Sequence, residues 1–513
     1  MRTIYKNIYF FMLASVFLFA ACDSDDPFAG KDNYITSFSL KQDGKVINAT
    51  ITDDVITIKV PDGTSLNGAV ATVTLSENAR IYPDPATITE WDDDILFAVT
   101  SYSGSQVKYK YTVDRNSIDR KGTVLLETQE DVDAFGESDI TAIGGNLIIG
   151  RTAGADSIRT LAPLSRLKRI EYSLIIYPTY AAEDFSGLEN LETVGDAIQI
   201  ESVKNVTGFS FQKLKTAGSI YIKNTQILTA EFPQLTSVTK GFTLDCPLKA
   251  VSLPKLKTVG EALTFNTANG SMAMLPKLTL PVLENAGKLA VSFFKSTPKV
   301  DFPKLKTVGD MSFNQMSLLA FINCPKLETV TGTLTIPSGM ALAEVGFPAL
   351  TEAKNMSIDG KTIKVFDFPK LKTIKGNLIL QNVPVNGVAD GFPALTAIEG
   401  ELQLRELPNM VSFTHSPVLK KIGKLSLYNR TTLALKTANI KGLQVGELAL
   451  QSAAVVINII GDEEFKGTLT IDPQSFPNTV TQALPTLTGF STVDSLSFTT
   501  SFSYITNVNL TGI

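Results

Sequence analysis

Histidine is almost missing from this chain: His415 is the only one in 513 residues. That scarcity weighs against His-dependent nucleophilic triads and against His-rich zinc sites. Cysteine is scarce as well, with Cys22, Cys246 and Cys324 making an odd count that leaves one of them for another task. No block of Lys and Arg occurs, and the 46 basic residues are outnumbered by 51 acidic ones, for a net charge of −5. Nucleic acid is therefore a poor partner, because its recognition needs clustered cations that displace counterions. Helix-type periodicity is rare, and the one long apolar run, residues 8–21, is too short and too poorly flanked to span a membrane. What is abundant is apolar content, 44% of residues. This length is too great for one compact core, so several domains or an elongated array is expected.

Residues 1–21 read as a secretion signal, with Arg2 and Lys6 ahead of the apolar run. The run ends in Phe19-Ala20-Ala21-Cys22, which resembles the bacterial lipobox. The resemblance implies cleavage before Cys22 and lipidation of its sulfur, with several acyl chains giving a stable anchor in the outer membrane. Residues 22–33 form an acidic tether. Its Asp23-Ser24-Asp25-Asp26 resembles the export signal of surface-displayed lipoproteins, and it is equally a solvated spacer.

Between residues 34 and 116 short alternating runs are split by turn residues such as Pro61-Asp62-Gly63 and Ser103-Gly104-Ser105. Candidate strands begin near Ile35, Val46, Val55, Ala69, Ile95 and Val107, and the pattern predicts a small antiparallel sandwich. It resembles the Ig-like modules that follow the lipidated cysteine in bacterial surface proteins. Trp91-Asp92-Asp93-Asp94 lacks the ligand spacing of a calcium loop and reads as a polar turn.

Residues 121–513 repeat a unit typified by Phe302-Pro303-Lys304-Leu305-Lys306-Thr307-Val308-Gly309. The landmark leucine recurs as Leu167, Leu191, Leu214, Leu235, Leu256, Leu283, Leu305, Leu327, Leu350, Leu371, Leu395 and Leu419, a leucine-rich-repeat period. Each unit ends in a short strand of inward-outward-inward residues, such as Ile198-Gln199-Ile200. Stacking these coils predicts an all-β right-handed solenoid with a parallel sheet and an irregular C-terminal cap. The glycine before each strand is expected to give a tight corner its φ freedom. Thr128 to Phe135 reads as one short capping helix. The opening units, including Leu188-Glu189-Asn190-Leu191-Glu192-Thr193-Val194-Gly195, resemble the receptor L-domain, and Ile322-Asn323-Cys324-Pro325-Lys326-Leu327 resembles BspA-like leucine-rich surface proteins.

The outward residue of each strand forms the candidate binding face: Gln199, Tyr221, Thr243, Thr264, Ser312, Thr335, Ser357, Gln403 and Ser426, with Ala290 and Ile379 interspersed. It is uncharged and holds one aromatic, which makes it a poor platform for sugar stacking. The Lys residues of the repeat form a solvated stripe, with anion binding as the alternative. Cys246 and Cys324 lie more than three coils apart, ~15 Å or more at the strand spacing, beyond the ~7 Å a disulfide allows. No catalytic constellation, cofactor or metal site is marked, so an enzyme is not expected. The expected function is a cell-surface lipoprotein that binds a protein or matrix partner through its solenoid, as an adhesin or receptor would. The alternative is capture of glycans for nutrient uptake.

Overall fold

The computed structural model describes residues 30–498, apart from 61–63, 116–118, 139, 156, 268–274, 384–390, 430–434, 453–457, 472–485 and 490. The signal segment, Cys22, most of the acidic tether and most of the expected C-terminal cap lie outside the described residues. The chain divides into two compact units, residues 1–119 and 120–513.

The first unit holds β1 (Ile35–Gln42), β2 (Lys45–Asn48), β3 (Thr50–Thr52), β4 (Val55–Lys59), β5 (Val70–Leu75), β6 (Arg80–Tyr82), β7 (Ile95–Thr100) and β8 (Gln106–Asp114). They form two sheets, β2-β1-β5 and β3-β4-β8-β7-β6. One core joins the sheets, because Phe38 and Leu40 of β1 pack with Ile56, Phe97 and Tyr111 of the other sheet. The antiparallel expectation fails at one pair: β4 and β8 run parallel, from Val55 opposite Lys110 to Lys59 opposite Asp114. The chain leaves β4 for the other sheet and returns before β8, and a long connection is free of the hairpin's antiparallel constraint. Trp91 is fully buried; its indole N–H donates to the Ala69 carbonyl at 2.9 Å, and its own carbonyl accepts from the Tyr111 hydroxyl at 2.9 Å. Asp92 then ties three segments together, accepting from Ser65 Oγ at 2.6 Å, Leu66 N–H at 2.7 Å and Arg115. These donors outweigh the desolvation that opposes them and hold its carboxyl below the usual range. Asp94 pairs with Lys110 at 2.8 Å. Two of the three aspartates in the run, Asp92 and Asp94, are thus engaged in structural contacts.

The second unit opens with helix α1 (Gln129–Gly136), started by a reciprocal capping box between Thr128 and Asp131. Thereafter it is a β-solenoid. One face is a 21-stranded sheet whose pairings along the array are parallel, and short parallel ribbons, such as Gly208–Ser210, Thr229–Glu231 and Ala250–Ser252, line a second face. The repeat's Phe and Leu residues fill one continuous core, which runs from Val124 to Leu469. At the Phe-Pro corner, Phe347, Phe368 and Phe392 stack coil upon coil, with the last two rings parallel within 7° and 4.9 Å apart. Cys324 occupies this same column between Phe302 and Phe347, whereas Cys246 follows the strand Phe242–Asp245. Both thiols are free and buried. Burial pushes the Cys246 thiol up to about 12 and Cys324 higher still, which leaves neither as a thiolate nucleophile.

The lysine stripe turns out to alternate. The column that follows the landmark leucine reads Lys168, Glu192, Lys215, Thr236, Lys257, Glu284, Lys306, Glu328, Thr351, Lys372, Thr396 and Lys420, each amide bonding the carbonyl one coil back. Lys215 pairs with Glu192 at 2.5 Å and Lys306 with Glu284 at 3.0 Å. Where threonine stands, its hydroxyl donates to the preceding coil's carbonyl, as at Thr236, Thr351 and Thr396. Such exposed pairs add little net stability. Their effect in this column is to remove the like-charge repulsion that lysines stacked every ~4.8 Å would suffer; the column before the leucine, with Lys213, Lys255, Lys304, Lys326 and Lys370, has no such interleaved carboxylates.

The expected role of the pre-strand glycines is also corrected. Gly195, Gly260, Gly309 and Gly423 do not have positive φ. Several sit beside irregularities in the ladder, as between Val308 and Met311, where coils approach so closely that a Cβ on Gly309 would lie 1.8 Å from the Gly287 carbonyl oxygen. The left-handed corner lies at the other end of the strand and uses Ser202, Asn224, Phe293, Gln315, Asn382 and Glu406.

Candidate functional site

The outward ladder is continuous in register. Gln199 pairs with Tyr221, Tyr221 with Thr243, Thr243 with Thr264, Thr264 with Ala290, Ala290 with Ser312, and Ser312 with Thr335. The series continues through Ser357, Ile379, Gln403 and Ser426. The structure brings all these positions to one sheet face but not to equal accessibility. Gln199 is exposed and most others are half-buried. Ser426 is only 6% exposed, and its hydroxyl is bonded to Glu401. Glu401 also takes Gln403 Nε2 at 2.5 Å, while Lys424 pairs with Glu447 at 3.0 Å and Glu447 accepts from Thr470 at 3.0 Å. Gln403 and Ser426 thus belong to an internally bonded network, and Ser426 is withdrawn from the surface.

The other end of the face is different. Here the ladder is apolar, with Leu125, Ile148 and Ile175 in register ahead of Gln199. Leu125 is 53% exposed and Tyr172, three residues before Ile175, is 58% exposed. Tyr177 stands two residues after Ile175 and is half-buried. Tyr221 lies down against the sheet: a Cβ on Gly241 would come within 3.0 Å of its hydroxyl, so the missing side chain makes room for the ring. Lys223 Nζ is 5.5 Å from the Tyr221 ring centroid. Alongside, Lys240 reaches across one coil to Asp196 at 2.8 Å, and Ser173 Oγ donates to the same carboxylate at 3.2 Å. Lys240's hydrogen bond holds the Asp196 carboxyl below its usual range. The result is an aromatic ring framed by an ion pair, an ammonium and the Gln199 amide.

Sequence reasoning found Tyr221 and Gln199 but missed Tyr172, Tyr177, Lys223, Asp196 and Lys240. The signal was present: Tyr177, Lys223 and Asp245 stand two residues beyond ladder positions, and period two puts them on the same face. The His415 ring lies between two backbone carbonyls, with Nδ1 3.0 Å from that of Ser416 and Nε2 3.0 Å from that of Lys441. A neutral imidazole carries one N–H and donates to one of these two carbonyls. Among the described residues no group of His, Cys, Asp and Glu is placed to hold a metal ion.

Residues 35–113, the β1–β8 unit, match the family model "SGBP, N-terminal", the N-terminal domain of surface glycan-binding proteins. The match ends before the solenoid. No curated protein matches the chain. A solved structure titled "Crystal structure of TLR13-ssRNA13 complex" aligns at 12% identity over 67% of this chain and 78% of that one, with a TM-score of 0.14. At that score it carries no argument about fold or ligand.

Proposed function

We propose that this protein is a surface glycan-binding protein that captures sugar chains without cleaving them. The observation that carries this reading is the match of residues 35–113 to the N-terminal module of that family. It favours the glycan alternative over a protein or matrix partner. The geometry of the array supports it, because the face between Tyr172 and Tyr221 joins aromatic and apolar surface to amide, carboxylate and ammonium groups. Sugars offer apolar C–H faces and hydroxyl edges that suit such a mixture. The ligand site is assigned to this end of the solenoid, with Tyr221 as the central stacking residue and Gln199, Asp196 and Lys223 as its polar frame. In this reading the solenoid is of the leucine-rich kind and is held at the outer membrane, facing outward, by lipid on Cys22.

Two measurements test it. In native gels cast with neutral polysaccharides (starch, xyloglucan, mixed-linkage glucan, mannan), at least one should retard the purified protein, and Tyr221→Ala should weaken that binding about tenfold. Indifference to every polysaccharide, together with saturable binding of a host or matrix protein, would return the adhesin reading. Cells fed a clickable palmitate should label the wild-type chain and not Cys22→Ser; label persisting in that variant refutes the anchor.

A further inference from the structure

Phe293 breaks a local rule. Its φ is 67°, in the left-handed region that a bulky side chain rarely occupies. The residue is nevertheless 41% exposed, while the adjacent Phe294 is fully buried and fills the core. At the equivalent corners the chain uses Ser202, Asn224, Gln315, Asn382 and Glu406, all polar. An aromatic that is both strained and partly in water contributes little to packing, and strain of this kind collects where a surface has work to do.

The setting of Phe293 fits that reading. Ser292, the residue before it, stands in register with Asn314, and the same outward row holds Asp245 in register with Asn266 two coils earlier. Asp245 and Asn266 are half-buried, and Oδ1 of each is itself enclosed, without a hydrogen-bond partner. Tyr221 lies three coils toward the N-terminus. From the coil and residue spacings, the Cα atoms of Tyr221 and Phe293 are ~17 Å apart. Between them the surface carries Thr243 and Thr264.

We propose that Phe293 is a second stacking platform, so that Tyr221 and Phe293 together grip one extended, uncharged glycan chain laid across the coils. This rests on the glycan-binding reading and specifies its ligand class. One sugar ring cannot reach both aromatics; a chain of several can. A polyanionic glycan would meet two carboxylates, Glu201 and Asp245, against the single ammonium of Lys223 between them on the same row.

The test uses Phe293→Asn and Phe293→Tyr in the full chain. Asparagine tolerates the left-handed backbone and removes the ring. Affinity for the retarding polysaccharide should fall about tenfold in Phe293→Asn, with an unchanged or raised melting temperature, and stay at the wild-type level in Phe293→Tyr. The loss should also vanish for mono- and disaccharides of the same glycan, which cannot span the two rings. Undiminished polysaccharide binding by Phe293→Asn overturns the inference and leaves the glycan reading standing. So does a lowered melting temperature in that variant, which would make Phe293 a structural residue. If the wild type binds none of the polysaccharides, the glycan reading itself fails and this inference goes with it.

Discussion

Replacing Phe368 with alanine is expected to cost about 3–5 kcal/mol of stability. Its ring is fully buried, stacked on Phe392 at 4.9 Å and set edge-on to Phe347 at 5.9 Å, with Phe366 at 6.4 Å. The cavity left behind would be bounded above and below by rings whose coils are hydrogen-bonded to their neighbours. Phe368 N–H donates to the Gly391 carbonyl and Leu371 N–H to the Phe368 carbonyl, which limits collapse into the void. In an array whose coils touch only their neighbours, damage at one coil also weakens both of its interfaces. The loss should appear as a lower urea midpoint in tryptophan-independent signals such as far-ultraviolet circular dichroism, since Trp91, the only tryptophan, lies in the other unit. A shift equivalent to less than about 1 kcal/mol would mean that the corner relaxes and that the phenylalanine column is dispensable.

Gly309→Ala should be nearly as damaging, about 3 kcal/mol, although a single methyl is added. The new Cβ would lie 1.8 Å from the Gly287 carbonyl oxygen and 2.9 Å from its carbon, and these are backbone atoms of the adjacent coil. Nothing flexible can yield. Gly339 provides the contrast, because it has φ +87° and open space around the missing side chain. Gly339→Ala should cost only the left-handed penalty of about 1 kcal/mol. Urea melts of the two variants side by side separate steric from conformational causes. Equal losses would refute the close-approach account of the pre-strand glycines.

Much of the solenoid was legible from residue spacing. The landmark leucine, the inward-outward-inward strand and the proline corner each have a local physical cause that repeats at every coil, so their periodicity reports the stacked core directly. The ladder from Gln199 to Ser426 follows from period two once the coils are aligned. The parallel pairing of β4 with β8 was hidden, because it joins segments far apart in sequence and no local pattern records direction. The glycines were misjudged for a similar reason: the sequence marks where no side chain is tolerated, and only the approach of the Gly287 carbonyl explains why.

The candidate site was half visible. Tyr221 and Gln199 could be read from the ladder, but the sparse aromatic content of that single column concealed what surrounds it. Tyr172 and the Lys240–Asp196 bridge come from neighbouring columns, and the bridge joins coils two apart, so its formation depends on coil register. The left-handed conformation of Phe293 could not be read from its residue type, since the equivalent corners are all polar and include Asn224 and Asn382. The sequence by itself determined the repeat, the identity of the core and the candidate face, because these depend on local periodicity and burial. Tertiary structure decided which outward residues are accessible, which carboxylates and ammonium groups neutralise one another, and which glycines stand against backbone, because each of these is a distance between coils.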